Sequence, residues 1–464
     1  MKKTLICLLI VFATLFSVCS CSCVLNDTKY EYDDMSKFIT LPDYKSQIYE
    51  LEEDSIKQAI ATYLMQFSSE YTIERGDKVQ VDIKFYKTIE DTNKKDTTKE
   101  ITELALSGEW IEKVGSAHSD GGYQLSTQIE NNIINMKNGA TTSVLVTLDD
   151  DYYVEEYRGQ KVFADITVKN IVCKTGAVVL ASYTGYYIDE SDKIVQENGK
   201  DKTFDSSDSS SFYIGSNLAI KDFENGLIGM YVGQEKDIYA TFPTDYEPDP
   251  ALAGKKVLFR VKLKSLYEPP VYNDAFVQNY FSTFKTTKDF EDALIKEYTL
   301  TMVYDYISNY SQVIEYPEAE YAAAQDQLEE ISETWVQSYG MTLDSYILST
   351  YGMTRDAYIK SNMKTEMIFY TLRNMIGTPA IPTETEIAAM KETLINDYKN
   401  QYMSEQGLTE SAALSAANEF VETLGQAYVY EQVMYEKIDD IIPTQVTTKL
   451  IPSEYEYVFD AKTE

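Results

Sequence analysis

The chain has 464 residues, with 75 Asp and Glu against 41 Lys and Arg and a formal net charge of −34. Phosphate backbones and anionic lipid headgroups repel such a surface, which argues against nucleic acid and the ribosome as partners and leaves solubility as the plainest use of the charge. One histidine and five cysteines with no Cys-x-x-Cys pair offer no basis for a metal centre, a cofactor, a histidine-dependent triad or a disulfide framework, and the length calls for several domains rather than one.

Residues 1–20 read as an export leader: Lys2 and Lys3 precede an apolar run from Leu5 to Phe16. That run is too short for a membrane span and suits a signal-peptide core. The small residues around Val18-Cys19-Ser20-Cys21 fit cleavage before a lipidated cysteine, and Cys21 is the residue expected to carry the lipid. An ordinary secretory leader is the alternative. Cleavage removes two lysines and no acid, so the mature chain is more acidic still. Residues 21–75 then form a polar tether and an amphipathic helix, with Ile56, Ile60, Tyr63 and Leu64 at the spacing of one buried face.

Residues 76–172 and 173–268 read as two copies of one unit. Ile129-Glu-Asn-Asn-Ile-Ile-Asn-Met136-Lys-Asn-Gly139 aligns with Phe223-Glu-Asn-Gly-Leu-Ile-Gly-Met230-Tyr-Val-Gly233, and the same offset pairs Asp151-Tyr152 with Asp245-Tyr246. Lys78–Phe85 alternates as Val178–Gly185 does, the signature of a strand. In the second copy Phe204-Asp205 leads into a polar loop, a short strand ends at Gly215, and a helix carries Phe223, Leu227 and Ile228. Strands follow around Tyr239–Phe242 and Val257–Leu263. Cys173 sits in an apolar run and reads as a small buried hydrophobe. Pro269-Pro270 closes the second copy.

The remainder, 269–464, is helical in pattern. Tyr321, Ala324, Leu328, Ile331 and Trp335 make one stripe along a helix entered at Pro317. Tyr339-Gly-Met-Thr recurs as Tyr351-Gly-Met-Thr, a glycine closing one helix and a threonine capping the next. Thr383-Glu-Thr-Glu386 is a capping box. Helices run to about Ile441, and Val446–Phe459 is extended.

The order Gly-x-x-x-x-Ile-x-x-Phe-Glu-x-Gly-Leu-x-Gly-Met-x-x-Gly-x-x-Lys from Gly215, with Phe242-Pro-x-x-Tyr246 and Ala253-Gly-Lys-x-x-x-Phe259, resembles the FKBP-type peptidyl-prolyl cis-trans isomerase domain, in the form found in trigger factor. Leu41–Leu64 resembles the segment leading into that domain. Asp274-Ala-Phe276, Tyr316-Pro-Glu318 and Ile381-Pro-Thr-Glu384 resemble the joints of trigger factor's substrate-cradling C-terminal domain. The ribosome-binding part and its Gly-Phe-Arg-x-Gly signature are missing, which accords with export. The implied fold is α+β and multidomain: two tandem FKBP-like antiparallel β-sheet domains, then an all-α domain like the trigger factor C-terminal domain.

The resemblance implies a catalytic cup in the second copy. Tyr183 forms its wall, Phe204 lines it, Asp205 sits beside the substrate amide and Phe223 is the floor. Ile220 offers a backbone N–H to the bound peptide, Tyr246 belongs to the flap and Phe259 closes the back. Two departures, Ser210 where relatives carry a pocket phenylalanine and Pro248 where many carry a flap tyrosine, imply weak activity. In the first copy Ile129, Ala164 and Ile83 replace Phe223, Phe259 and Tyr183, which implies a degenerate unit.

The functional expectation is a lipid-anchored foldase on the outer face of a bacterial membrane. It isomerises X–Pro bonds of unfolded exported chains while its helical region, rich in Tyr and Met, holds them. The alternative is a binding-only holdase with both units inert. A solute-binding lipoprotein would need two α/β lobes, which this pattern of strands followed by helices does not offer.

Overall fold

A computed structural model describes residues 34–89, 92–115 and 125–460. The expected leader, Cys21 and His118 lie outside the described residues. Contacts divide the chain into two compact units. A β-rich unit takes Glu53–Val277 and the chain from Pro452 onward, and a helical unit takes the chain up to Glu52 and Gln278–Ile451. Among the described residues no helix is long and apolar enough to cross a membrane.

The β-rich unit opens with α1 (Glu53–Gln66), which buries Ile56, Ile60, Tyr63 and Leu64. A first sheet follows, made of β1 (Val79–Thr88), β2 (Lys95–Glu100), β3 (Leu106–Ile111), β4 (Thr141–Thr147) and β5 (Lys161–Ile171), with the short helix α2 (Thr127–Ile133) before β4. Its order is β2-β1-β5-β4, with β3 also on β1. A second sheet contains β6 (Val178–Tyr187), β7 (Thr203–Tyr213), β8 (Glu235–Thr241) and β9 (Lys256–Glu268), with α3 (Lys221–Leu227) before β8. Its order is β7-β6-β9-β8. The two orders correspond strand for strand, all pairs are antiparallel, and a helix of seven residues stands at the same place in each.

Period-two patterning explains the strands. In β1 Val79, Val81, Ile83 and Phe85 point into the core, and in β5 Val162, Ala164, Ile166 and Val168 do the same. Alternate residues of a strand face opposite sides, so one apolar set suffices to cover one face. The polar stretch Asp205–Ser211 is not the loop its composition suggests. It is part of the edge strand β7, which among the described residues pairs with β6 alone, with register shifts after Thr203 and after Ser207. An edge strand with one solvated side tolerates serine, and bulges accommodate the extra residues.

The two sheets share one continuous core. At their junction Cys173 N–H donates to Met230 O at 2.7 Å, and Lys174 pairs with the buried Asp77 at 2.6 Å and with Glu74 at 2.8 Å. Cys173 is free and buried, and burial pushes its thiol up to about 12. That keeps it a protonated hydrophobe rather than a nucleophile.

The helical unit contains α4 (Thr287–Tyr310), α5 (Glu318–Tyr339), α6 (Leu343–Tyr351), α7 (Arg355–Ile376), α8 (Glu384–Glu405) and α9 (Glu410–Ile441), the last broken by a kink at Gly425. Thr342 and Thr354 cap α6 and α7, Gly352 closes α6 in the left-handed region, and Thr383 with Glu386 forms a reciprocal capping box. Ala324 and Leu328 of the expected stripe on α5 are buried and Tyr321 is half-buried; the side chains of Ile331 and Trp335 lie outside the described residues. The strand β10 (Thr447–Ile451) pairs in parallel with Ile48–Glu52. Met35, Ile39, Tyr44 and Tyr49 pack into the helical core beside Val303, Ile307, Tyr370 and Met434.

Candidate active site

Five of the aromatic or acidic residues singled out in the second copy converge. Phe223, on the first turn of α3, is 3% exposed, and Phe259, inward on β9, is 6% exposed. Their ring centroids lie 4.8 Å apart in an edge contact. Tyr183 on β6 stands 6.0 Å from each. Phe204 meets Phe259 at 5.4 Å. Tyr183 and Phe204 are only partly buried, so two buried rings make a floor and two half-buried rings rise from it. Edge-to-face contacts at these separations are the favoured arrangement of aromatic quadrupoles.

Backbone geometry explains how Phe204 reaches the cluster. The register shift between Thr203 and Asp205 makes Phe204 the extra residue of a bulge opposite Gly185. A Cβ on Gly185 would lie 2.4 Å from Phe204 Cζ. The glycine is therefore what admits the ring, a requirement of close approach rather than of backbone angle.

The same bulge turns Asp205 outward beside Tyr183, whose hydroxyl donates to Asp205 Oδ2 at 2.6 Å. Burial, followed by this bond to a carboxylate, pushes the Tyr183 hydroxyl up to about 12. The phenol stays a donor throughout the neutral and mildly alkaline range, and the exposed carboxylate is held at the rim of the cup.

Ile220 immediately precedes α3 with extended backbone angles (φ −59°, ψ 137°). Its carbonyl accepts from Phe223 N–H at 2.9 Å, and its own N–H has no protein acceptor among the described residues. The loop before it is held by Glu224, which is buried and accepts from Gly215 N–H at 2.8 Å and Ala219 N–H at 3.1 Å. Burial raises the Glu224 carboxyl, while the backbone amides pull it back toward the charged form. Tyr246 packs at 4.7 Å against Phe242 with its ring tilted, and Phe242 lies 5.8 Å from Phe204. It belongs to the wall behind Phe204. Ser210 bonds Ser207 at 2.8 Å on the edge strand, and Pro248 is exposed.

Two members escaped the sequence reading. Phe212 lies 4.9 Å from Phe223 and 5.9 Å from Tyr183. It stands two residues beyond Ser210, on the same strand face, and supplies a ring near the place where Ser210 provides none. Phe242 lies behind Phe204 and Phe259. Period two from Ser210 was the available signal for Phe212; Phe242 carried none beyond being aromatic before a proline.

The first sheet offers the control. Gly185 pairs with Phe259 and Tyr183 with Val261; at the corresponding rungs Phe85 pairs with Ala164 and Ile83 with Ile166. Ile83, Phe85, Ile129 and Ala164 are all fully buried. Phe85 thus takes the place of Gly185 and fills the space with its own ring. A separate cleft of about 250 Å³, lined by Lys221, Glu224, Ile228 and Tyr455–Val458, lies on another flank of α3. Among the described residues no group of three or more His, Cys, Asp or Glu could hold a metal ion.

Residues 169–264 match the family of FKBP-type peptidyl-prolyl cis-trans isomerases. A trigger factor from Caldicellulosiruptor bescii is 47% identical over 78 residues, 16% of this chain and 17% of that one. A trigger factor from Bacillus pumilus is 28% identical over 214 residues, 43% of this chain and 48% of that one. A solved structure described as showing promiscuous substrate recognition by the trigger factor chaperone covers 71% of this chain and 91% of its own, with a TM-score of 0.19 and 11% identity. The chain thus spans about half or less of the curated relatives it matches. The stretch that carries the aromatic cup, residues 169–264, matches the FKBP-type peptidyl-prolyl isomerase family and is similar to part of several trigger factors.

Proposed function

We propose that the chain is a peptidyl-prolyl cis-trans isomerase and chaperone for unfolded polypeptides. The observation that carries this reading is the joint placement of Tyr183, Phe204, Phe223 and Phe259 around one floor, with Asp205 bonded to Tyr183 at the rim. An X–Pro bond turns slowly because amide conjugation sets a barrier of roughly 18–20 kcal/mol. A thousandfold acceleration takes about 4 kcal/mol of differential stabilisation. A dry aromatic cup that receives the pyrrolidine ring disfavours the polar planar amide relative to the twisted one. Asp205 orients the carbonyl dipole, and the Ile220 N–H anchors the chain. No nucleophile takes part.

The first sheet, with the strand order and register of the second but a filled interior, is a degenerate FKBP-like copy kept for architecture or peptide binding. The helical unit is the trigger factor C-terminal-like part, where unfolded clients are held. The leader sequence and Cys21 support lipid anchoring on the outer face of a bacterial membrane, with exported chains as clients and no ribosome. A protease-coupled prolyl assay on residues 24–464 tests the reading. Catalysis above the thermal rate, lost in Phe223→Ala, is expected. Suppressed aggregation of a denatured client with no catalysis would leave the binding-only holdase.

A further inference from the structure

The chain expected to stay extended to Phe459 does so only to Ile451; beyond, it runs through bends and a turn, and two of its side chains are among the most completely buried of the described residues. Tyr457 is 0% exposed and Phe459 is 1% exposed. Tyr457 Oη donates to Asp54 Oδ1 at 2.8 Å, and Ser453 Oγ donates to the same Asp54 oxygen. Asp460 pairs with Lys57 at 2.6 Å. The segment is thereby fixed to α1. Its other side meets the strand and loop that build the cup. Phe459 stacks on Tyr213 at 6.2 Å, and Val458 N–H donates to Gly215 O at 3.2 Å. A Cβ on Gly215 would come within 3.1 Å of Val458.

Tyr213 follows Phe212, and alternation along a strand sends one to the cup and the other to the tail. Gly215 N–H is in turn one of the backbone amides that hold Glu224, next to the floor residue Phe223. We propose that Pro452–Asp460 is a strap that positions the cup, with Tyr457, Phe459 and their anchor Asp54 as positioning residues for isomerisation. It fixes the end of β7 that carries Phe212 and the loop that presents Ile220 and Phe223. This rests on the isomerase reading for its effect on rate. Its effect on local order stands independently.

The test uses the full mature chain with Phe459→Ala, Phe459→Leu and Tyr457→Phe, together with a chain ending at Ile451. Prolyl isomerisation and backbone hydrogen exchange are measured on each. For Phe459→Ala and the shortened chain we expect at least a fivefold loss in kcat/KM. Exchange should quicken in residues 211–224 while β4 and β5 stay protected. Phe459→Leu should recover most of both, and adding a peptide of residues 452–464 to the shortened chain should restore both. Unchanged exchange at 211–224, or exchange that quickens equally in β4 and β5, overturns the strap. An inactive wild type whose 211–224 exchange still depends on Phe459 would overturn the isomerase reading and leave the strap standing.

Discussion

The two sheets of the β-rich unit have the same strand order, the same pairing and the same intervening helix, and they differ in what fills the middle. In the second, Gly185 leaves room for Phe204 to arrive from a bulge, and Tyr183, Phe223 and Phe259 stand around it. In the first, Phe85 occupies the rung of Gly185 and Ile83, Ile129 and Ala164 complete a sealed aliphatic interior. Sheets of one strand order can therefore carry different interiors according to a handful of side chains, and one position decides whether Phe204 or a ring of the strand itself takes that space.

The sharpest way to break the comparison is to remove the corresponding floor residues. Phe223→Ala should lower kcat/KM by about a hundredfold, close to 2.7 kcal/mol of transition-state stabilisation. Ile129→Ala should leave the rate alone while costing about 2–5 kcal/mol of stability as a cavity in a packed core. Catalysis and urea titration on the same preparations check both, and Phe223→Leu serves as a variant that keeps the core filled.

Next in size is Gly185→Ala. The added methyl meets the Phe204 ring, and such overpacking costs about 1–3 kcal/mol. The ring must leave the cup, and about a tenfold loss of activity is expected. Wild-type activity in this variant would show that Phe204 is not needed where it lies.

Tyr183→Phe removes the 2.6 Å bond to Asp205 and keeps the ring. A severalfold fall in kcat with KM little changed is expected, because the wall survives and only the rim carboxylate is released. Equal activity would make Asp205 a bystander.

The smallest effect is in pH. The Tyr183 hydroxyl is raised to about 12, first by burial and then by Asp205. An unfolded tyrosine loses its proton near 10. The stabilisation is fully present below about pH 10 and is lost as pH climbs from 10 toward 12, because the unfolded chain then binds fewer protons than the folded one. Wild type should lose stability more steeply than Tyr183→Phe over that interval, followed by thermal melting at fixed ionic strength.

Much of this was legible in the chain. The offset between Ile129–Gly139 and Phe223–Gly233 falls on two seven-residue helices, α2 and α3, because turn glycines and inward apolar residues are fixed by backbone geometry. Thr342, Thr354 and Thr383 announced helix starts because a cap is a local bond. What stayed hidden depended on partners far away in sequence. The serines of β7 looked like a loop because only β6 makes them a strand. That Phe85 corresponds to Gly185 could be read from the aligned strands, but not that Gly185 is what admits the Phe204 ring. Tyr455, Tyr457 and Phe459 alternate as a strand does, but the partners that bury Tyr457 and Phe459 are Asp54, Tyr213 and Tyr272, far away in sequence.

The most direct measurement is catalysed cis–trans exchange of a single X–Pro peptide followed by NMR, with wild type, Phe223→Leu and Ile129→Ala side by side. The account predicts rapid exchange with wild type and Ile129→Ala, and exchange reduced at least tenfold with Phe223→Leu. No catalysed exchange with wild type, or exchange that survives in Phe223→Leu and is lost in Ile129→Ala, would contradict it.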